Sequence, residues 1–150
     1  MAKEIIIQRD YVLDADAHFA QIVRYNELSA AMGGQVRYEG LPEGEAQAGQ
    51  SFDLKLFLFG WLPMGRWHID VIERDDRARR LVSREFGGIA KRHDHVLTVE
   101  PLPGAGCRHT DHLTVDAGWL TGFYARTARR MYEKRHDMRS ALRGQTITRS

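Results

Sequence analysis

The 150-residue sequence predicts an α+β domain: a curved antiparallel sheet of about seven strands wrapped around a long C-terminal helix, with two short helices after the first strand. Three observations carry this expectation. Strand-like alternation recurs six times between Gln35 and Ala117, broken each time by Gly, Pro or Asp turn chemistry. The connections are short, which favours an antiparallel meander. One long amphipathic pattern closes the chain, and its apolar side needs a large surface, for which the concave face of the sheet is the candidate.

Taken in order, Glu4–Val12 is rich in β-branched residues and has no breaker, so it is expected to be the first strand. In "DADAHFAQIVRYNELSAAMGG" the period changes. Asp14 or Asp16 can cap a helix that carries Ala17, Phe19, Ala20 and Val23, and Asn26 can open a second helix closed by Gly33-Gly34. Six strands are expected at Gln35–Gly40, Gln50–Phe59, Arg66–Arg74, Arg79–Phe86, Ala90–Glu100 and Gly106–Ala117. The final helix is expected over Trp119–Leu142, with Trp119, Phe123, Thr127, Met131, Met138 and Leu142 on its apolar side. Arg126, Arg129, Arg130, Lys134 and Arg139 surround that side. A frayed tail is expected at 145–150, after a single domain spanning 1–144.

Bulk properties narrow the function classes. Hydrophobic residues make up 43% of the chain and charged residues 28%, the balance of an ordinary globular protein. The single cysteine, Cys107, excludes an internal disulfide and suits a reducing compartment. The apolar run near the start is only three isoleucines long, too short for a signal-peptide core or a membrane span, so a cytoplasmic protein is expected. Residues 119–150 hold eight basic and two acidic residues, which leaves −4 on the first 118 of a chain whose net charge is +2. A solvated face of the last helix accounts for that asymmetry, and no nucleic-acid signature accompanies it. Nucleophile motifs, phosphate-cradling loops and dinucleotide fingerprints are absent, so no cofactor is expected.

The most informative stretch is "AKRHDHVLTVEP". Alternate strand residues face opposite sides, so His93, His95, Leu97 and Val99 form one set and Arg92, Asp94, Val96, Thr98 and Glu100 the other. The first set is the more apolar and is expected to face inward. The next strand repeats the parity, with His109, Asp111, Leu113 and Val115 inward and His112 outward. If Pro101–Ala105 forms the loop, Glu100 faces Gly106 and His95 lies opposite Asp111. A slip of two residues puts Leu113 there instead.

"RHDHVLTVEPLPGAGCRHTDHLTVDAG", leading into an aromatic-rich terminal helix, resembles the START-like helix-grip superfamily (SRPBCC) over about Lys3 to Gly144. Polyketide cyclase/dehydrase-like and birch-pollen-allergen-like proteins are among its relatives. The resemblance implies a ligand cavity between sheet and helix, and a hydrophobic lipid, polyketide or aromatic guest. Its alternatives are a polyketide cyclase/dehydrase-like or aromatase-like enzyme using His95, Asp111 and His93 as acid and base, and an interaction module with an inert cavity.

Apart from His93, His95 and Asp111, the expected ligand-binding residues are Leu54, Leu56, Trp67, Ile69, Arg84, Leu97, Leu113, Phe123 and Thr127. In "RRLVSREFGG" the inward set is either Val82, Arg84 and Phe86 or Leu81, Ser83 and Glu85. H-x-H alone is weak metal chemistry, and none is expected. On the apolar hairpin tip Gly60–Gly65, Trp61, Leu62 and Met64 are expected to fold back over Phe57 and Phe59 or cover the first helices, or else to form an entrance flap or contact surface.

Overall fold

The computed structural model describes residues 1–144, so the tail expected at 145–150 lies outside the described residues. The elements are β1 (Lys3–Tyr11), α1 (Ala15–Ile22), α2 (Tyr25–Ala31), β2 (Val36–Glu39), β3 (Ser51–Leu58), β4 (Leu62–Asp75), β5 (Arg80–Gly87), β6 (Ala90–Pro101), β7 (Cys107–Asp116) and α3 (Thr121–Leu142). A 3₁₀ turn, Gly118–Leu120, leads into α3. The seven strands form one antiparallel sheet in the order β1-β7-β6-β5-β4-β3-β2. This is the predicted architecture, with the chain's first and last strands paired at one side.

Local chemistry explains the element ends. Asp14 caps α1 by accepting from the Ala17 amide at 3.1 Å. Past the end of α2, Gly34 sits at φ +83, a conformation open to glycine at little cost. Gly87 is required for a different reason. A Cβ there would lie 2.3 Å from the Arg66 carbonyl oxygen and 2.7 Å from the Trp67 ring.

β4 starts at Leu62, four residues before the expected Arg66, because the β3–β4 ladder resumes past a bulge at Lys55/Phe57 and continues to Leu58–Leu62. The turn is therefore tight, and Phe59 occupies φ +55, an uncommon conformation for a bulky residue. The hairpin tip does not fold back: Phe59, Trp61, Leu62 and Met64 are all exposed.

Cross-strand register defines the inner face of the sheet. Two apolar clusters sit on it. One lies under α1 and joins Tyr11, Phe19, Ile22, Leu97, Val99 and the unpaired Cys107, whose thiol burial pushes up to about 11. The other lies under α3 and joins Ile5, Ile7, Leu113, Val115, Ala125, Ala128 and Tyr132.

The last helix is rotated relative to expectation. Its buried stripe is Thr121, Ala125, Ala128, Tyr132, His136, Arg139 and Ser140. Phe123 is 57% exposed, Trp119 92%, and Thr127, Met138 and Leu142 are also exposed. Arg139, expected among the solvated residues, is buried. Small side chains let α3 approach β1 and β7 closely, and its polar inner residues find partners on the sheet, so size and hydrophobicity along the helix misreport the buried side.

Candidate functional site

Between the two apolar clusters, on the middle of β7, lies a buried carboxylate hub. Asp111 Oδ1 accepts from His95 Nε2 at 2.7 Å and from His109 Nε2 at 3.1 Å, and Oδ2 accepts from His136 Nε2 at 2.5 Å. The directions follow from two arginines, because a guanidinium only donates. Arg143 Nη1 donates to His18 Nδ1 at 2.7 Å, which leaves the His18 proton on Nε2. That atom donates to His109 Nδ1 at 2.9 Å, so His109 carries its own proton on the nitrogen facing Asp111.

On the other side, His136 Nδ1 accepts from the Tyr11 hydroxyl at 2.5 Å and from Arg139 Nη1 at 3.4 Å, which again places the proton toward Asp111. Glu27 holds Arg139 by two contacts, at 2.5 and 3.3 Å. Both relays end on one carboxylate.

The electrostatics agree with this wiring. Burial pushes His18 and His109 below the ordinary imidazole range and takes His136 down to about 3, against the pull of Asp111 on the last two. Burial opposes the charge on Asp111, but the His109 and His136 imidazoles outweigh it and hold its carboxyl well below the usual range. The hub is thus one anion to which three imidazoles donate.

His109, Asp111 and His136 offer ligand atoms within 4.8 Å of one another, which invites a metal reading. A ligating Nε2 must present a lone pair. Here Arg143, acting through His18, and Arg139 put protons on those two nitrogens, so the residues present do not fit an ion.

The register between β6 and β7 differs from expectation by two residues. Asp111 lies opposite Leu97, and His95 lies opposite Leu113. β6 runs on to Pro101, which pairs with Cys107, so Gly106 falls in the loop, where its carbonyl accepts from the Leu102 amide at 3.0 Å. A two-residue slip preserves the face, and the His95–Asp111 hydrogen bond forms along the diagonal.

A second polar group sits on the same face, toward β5 and β4. His93 Nδ1 meets the Tyr124 hydroxyl at 2.7 Å, and its Nε2 meets the Tyr132 hydroxyl at 3.1 Å. Burial draws His93 down to about 4, against the pull of Glu85. Glu85 accepts from Trp67 Nε1 at 2.7 Å and from Ser83 Oγ at 2.9 Å. Burial opposes its charge, but the His93 and His95 imidazoles and these two donors prevail, and its carboxyl stays below the ordinary range. The Tyr132 ring stands between the two groups, 5.9 Å from His93 and 5.2 Å from His95 between centroids.

Among the expected site residues, His93, His95, Leu97, Asp111 and Leu113 are inward and buried, as is Leu54 on β3. Leu56, Trp67 and Ile69 are half-buried. Arg84, Phe123 and Thr127 are corrected: all three face solvent. For Arg84 the reason is the strand parity, since register places Glu85 opposite His93 and Ser83 opposite His95. For Phe123 and Thr127 it is the rotation of α3. His18, His136, Tyr11, Tyr132 and Arg139 join the cluster unforeseen. A signal was available for His136, which follows Ala125, Ala128 and Tyr132 at helical spacing.

The covering of the inner face is uneven. α3 packs over β1 and β7 and against α2, while the inward residues of β3 and β4 are covered only partly. A cleft of about 890 Å³ opens at that side, walled by Tyr25, Ala30, Tyr38 and the loop from Gly40 to Glu45. Tyr38 pairs with Leu56 and so shares its face.

No protein-family model matches the sequence, and no curated protein matches it either. Solved structures do match in shape. Protein CV1439 from Chromobacterium violaceum superposes with a TM-score of 0.76 at 11% identity, over 93% of this chain and 95% of that one. Truncated norcoclaurine synthase from Thalictrum flavum gives 0.69 at 14%, over 95% and 93%. Ara h 8.0201 gives 0.64 at 10%, over 94% and 99%. The chain has the helix-grip fold.

Proposed function

We propose that this helix-grip chain binds a small amphipathic molecule, of lipid, polyketide or aromatic type, in the half of the grip that α3 leaves open. The observation that carries this is the half-buried wall of Leu56, Trp67 and Ile69, of which Leu56 pairs with Tyr38 in the lining of the 890 Å³ cleft, in a domain whose other half is packed shut. Apolar walls finished by a few convergent polar groups are the usual make-up of such sites. Glu85, His93 and Tyr124 supply the polar end, in place of the hydrogen-bonded Asp111 hub. Residues 1–144 act as one unit, in a cytoplasmic setting. Among the described residues, no helix is long and apolar enough to cross a membrane.

The test is titration with a fluorescent fatty acid and with a polycyclic aromatic. Binding should be micromolar or tighter, about −8 kcal/mol. Trp67→Ala should weaken it about tenfold through lost contact area, roughly 1.4 kcal/mol. Unchanged affinity in a folded Trp67→Ala protein sinks this location.

One observation favours an acid–base reading beside it. His95 Nε2 donates to Asp111, while its Nδ1 has no hydrogen-bond partner among the described residues and is not among the enclosed, unpartnered atoms. An imidazole backed by a carboxylate can take a proton on the free nitrogen and return it. The fold accommodates catalysis, since one structural neighbour is named a synthase. A bound β-diketone should then exchange its acidic C–H with deuterated solvent, and His95→Phe should abolish the exchange.

A further inference from the structure

The strand directions bring three separate stretches to one end of the molecule. β3 runs to this end and β4 leaves it, β5 arrives and β6 leaves, and β7 arrives and hands over to α3. The Phe59–Trp61 turn, the Gly88–Ile89 turn and the start of α3 therefore share it. Contacts agree: Lys91 lies against Gly118, and Lys3 against Gly122.

This end is unlike the rest of the surface. Phe59, Trp61, Leu62 and Met64 are exposed on the β3–β4 tip, and Ile89 on the β5–β6 turn. Trp119 and Phe123 are exposed at the start of α3, which makes seven of the fourteen large apolar side chains exposed among the described residues. Trp67 pairs with Gly87 at the end of β5, so Leu62–Arg66 extend beyond it, paired only with β3. That overhang is about 16 Å at the usual rise per residue.

The charge is one-sided. The stretches 59–67, 86–92 and 117–126 carry the cations Arg66, Lys91, Arg92 and Arg126 and contain no Asp or Glu, with Arg92 paired to Asp94 beyond them at 2.6 Å. Asp116, just before the third stretch, is occupied by the N-terminal ammonium at 3.6 Å and by the Gly118 amide at 2.8 Å.

We infer that this end docks on the surface of an anionic lipid bilayer, with the β3–β4 tip and the first turn of α3 entering the interface. Tryptophan and phenylalanine beside lysine and arginine, with no acid among them, match the apolar margin and the negative surface of such a membrane. An acidic protein would match the charge equally, but not a projecting ribbon that is apolar on successive residues. This inference does not rest on the ligand reading. The two meet at Trp67, which stands at the root of the overhang and is half-buried on the inner face.

The experiment is co-sedimentation of the full chain with phosphatidylcholine vesicles, with and without phosphatidylglycerol. Binding is expected with phosphatidylglycerol and should weaken as salt rises. Trp61→Ser with Met64→Ser, and separately Trp119→Ser with Phe123→Ser, should each lower the partition coefficient about tenfold. Arg66→Gln or Lys91→Gln should lower it about fivefold. All these residues are exposed, so the fold should survive, and the fluorescent fatty acid of the cleft test should bind the variants as before. Absence of vesicle binding overturns the inference. So does a concentration-dependent dimer in vesicle-free solution that the same tip substitutions abolish, because a second copy would then cover this end.

Discussion

The two halves of the inner face are built from the same alternating strands, yet they differ in how completely α3 covers them. Over β1, β7 and β6, both oxygens of Asp111 are used, each donor has one direction, and Ala125 and Ala128 bring α3 down onto the sheet. Over β3 and β4, Leu56, Trp67 and Ile69 keep part of their surface exposed. A buried cluster of histidines around a carboxylate resembles a reaction centre, but a carboxylate with both oxygens engaged by fixed donors is first of all a structural element. What the helix covers, more than the residue types beneath it, separates the scaffold from the proposed site.

The comparison is broken most directly at the hub. Asp111→Ala should cost about 3–5 kcal/mol in urea unfolding, because three inward N–H groups lose their acceptor. Asp111→Asn should cost less, since one carbonyl oxygen remains. An Asp111→Ala protein of normal stability would remove the distinction between the halves.

Acid should act next. His136 at about 3 and His93 at about 4 are depressed from 6.5, so below pH 6.5 the unfolded chain takes up protons that the folded one refuses. The stabilisation from each is complete above 6.5 and is lost as pH falls toward its folded value, by about 2 kcal/mol per histidine at pH 5. Asp111 is also depressed, and its contribution, present above pH 3.8, is lost below that. Urea midpoints between pH 7.5 and about 5 check this, and His93→Phe should flatten the slope.

Packing under α3 gives a smaller effect. Ala128→Leu should overfill the closed half and cost about 1–3 kcal/mol in thermal unfolding. Phe123→Ala and Thr127→Ala, on the exposed flank, should stay within about 0.5 kcal/mol. A larger loss at Phe123 would restore the helix face expected from hydrophobicity.

Strand parity is legible in the sequence because alternation has a period of two, which a register slip of two residues leaves unchanged. That is why His93, His95 and Asp111 face inward as expected while their partners across the ladder differ. The hairpin register is not legible, since it depends on whether Pro101 ends the strand or extends it. The face of α3 misleads for a related reason. His136 and Arg139 look solvated until Tyr11, Asp111 and Glu27 are known to face them, and those partners come from distant parts of the chain. The inward side of β5 stays open in the sequence because both of its faces carry apolar and charged residues.

The Tyr11–His136 contact joins residues 125 positions apart, and β1, at the edge of the sheet, pairs with β7 alone among the described strands. Local hairpins from β3 to β6 can form as soon as each is synthesised, but the closed half must wait for both chain ends. Closing so long a loop is slow, and until it happens His136 and His18 lack the partners that select their tautomers. Folding should therefore end with the proton positions being set, as the last step of sheet closure. The half that α3 packs most closely should be the last to form.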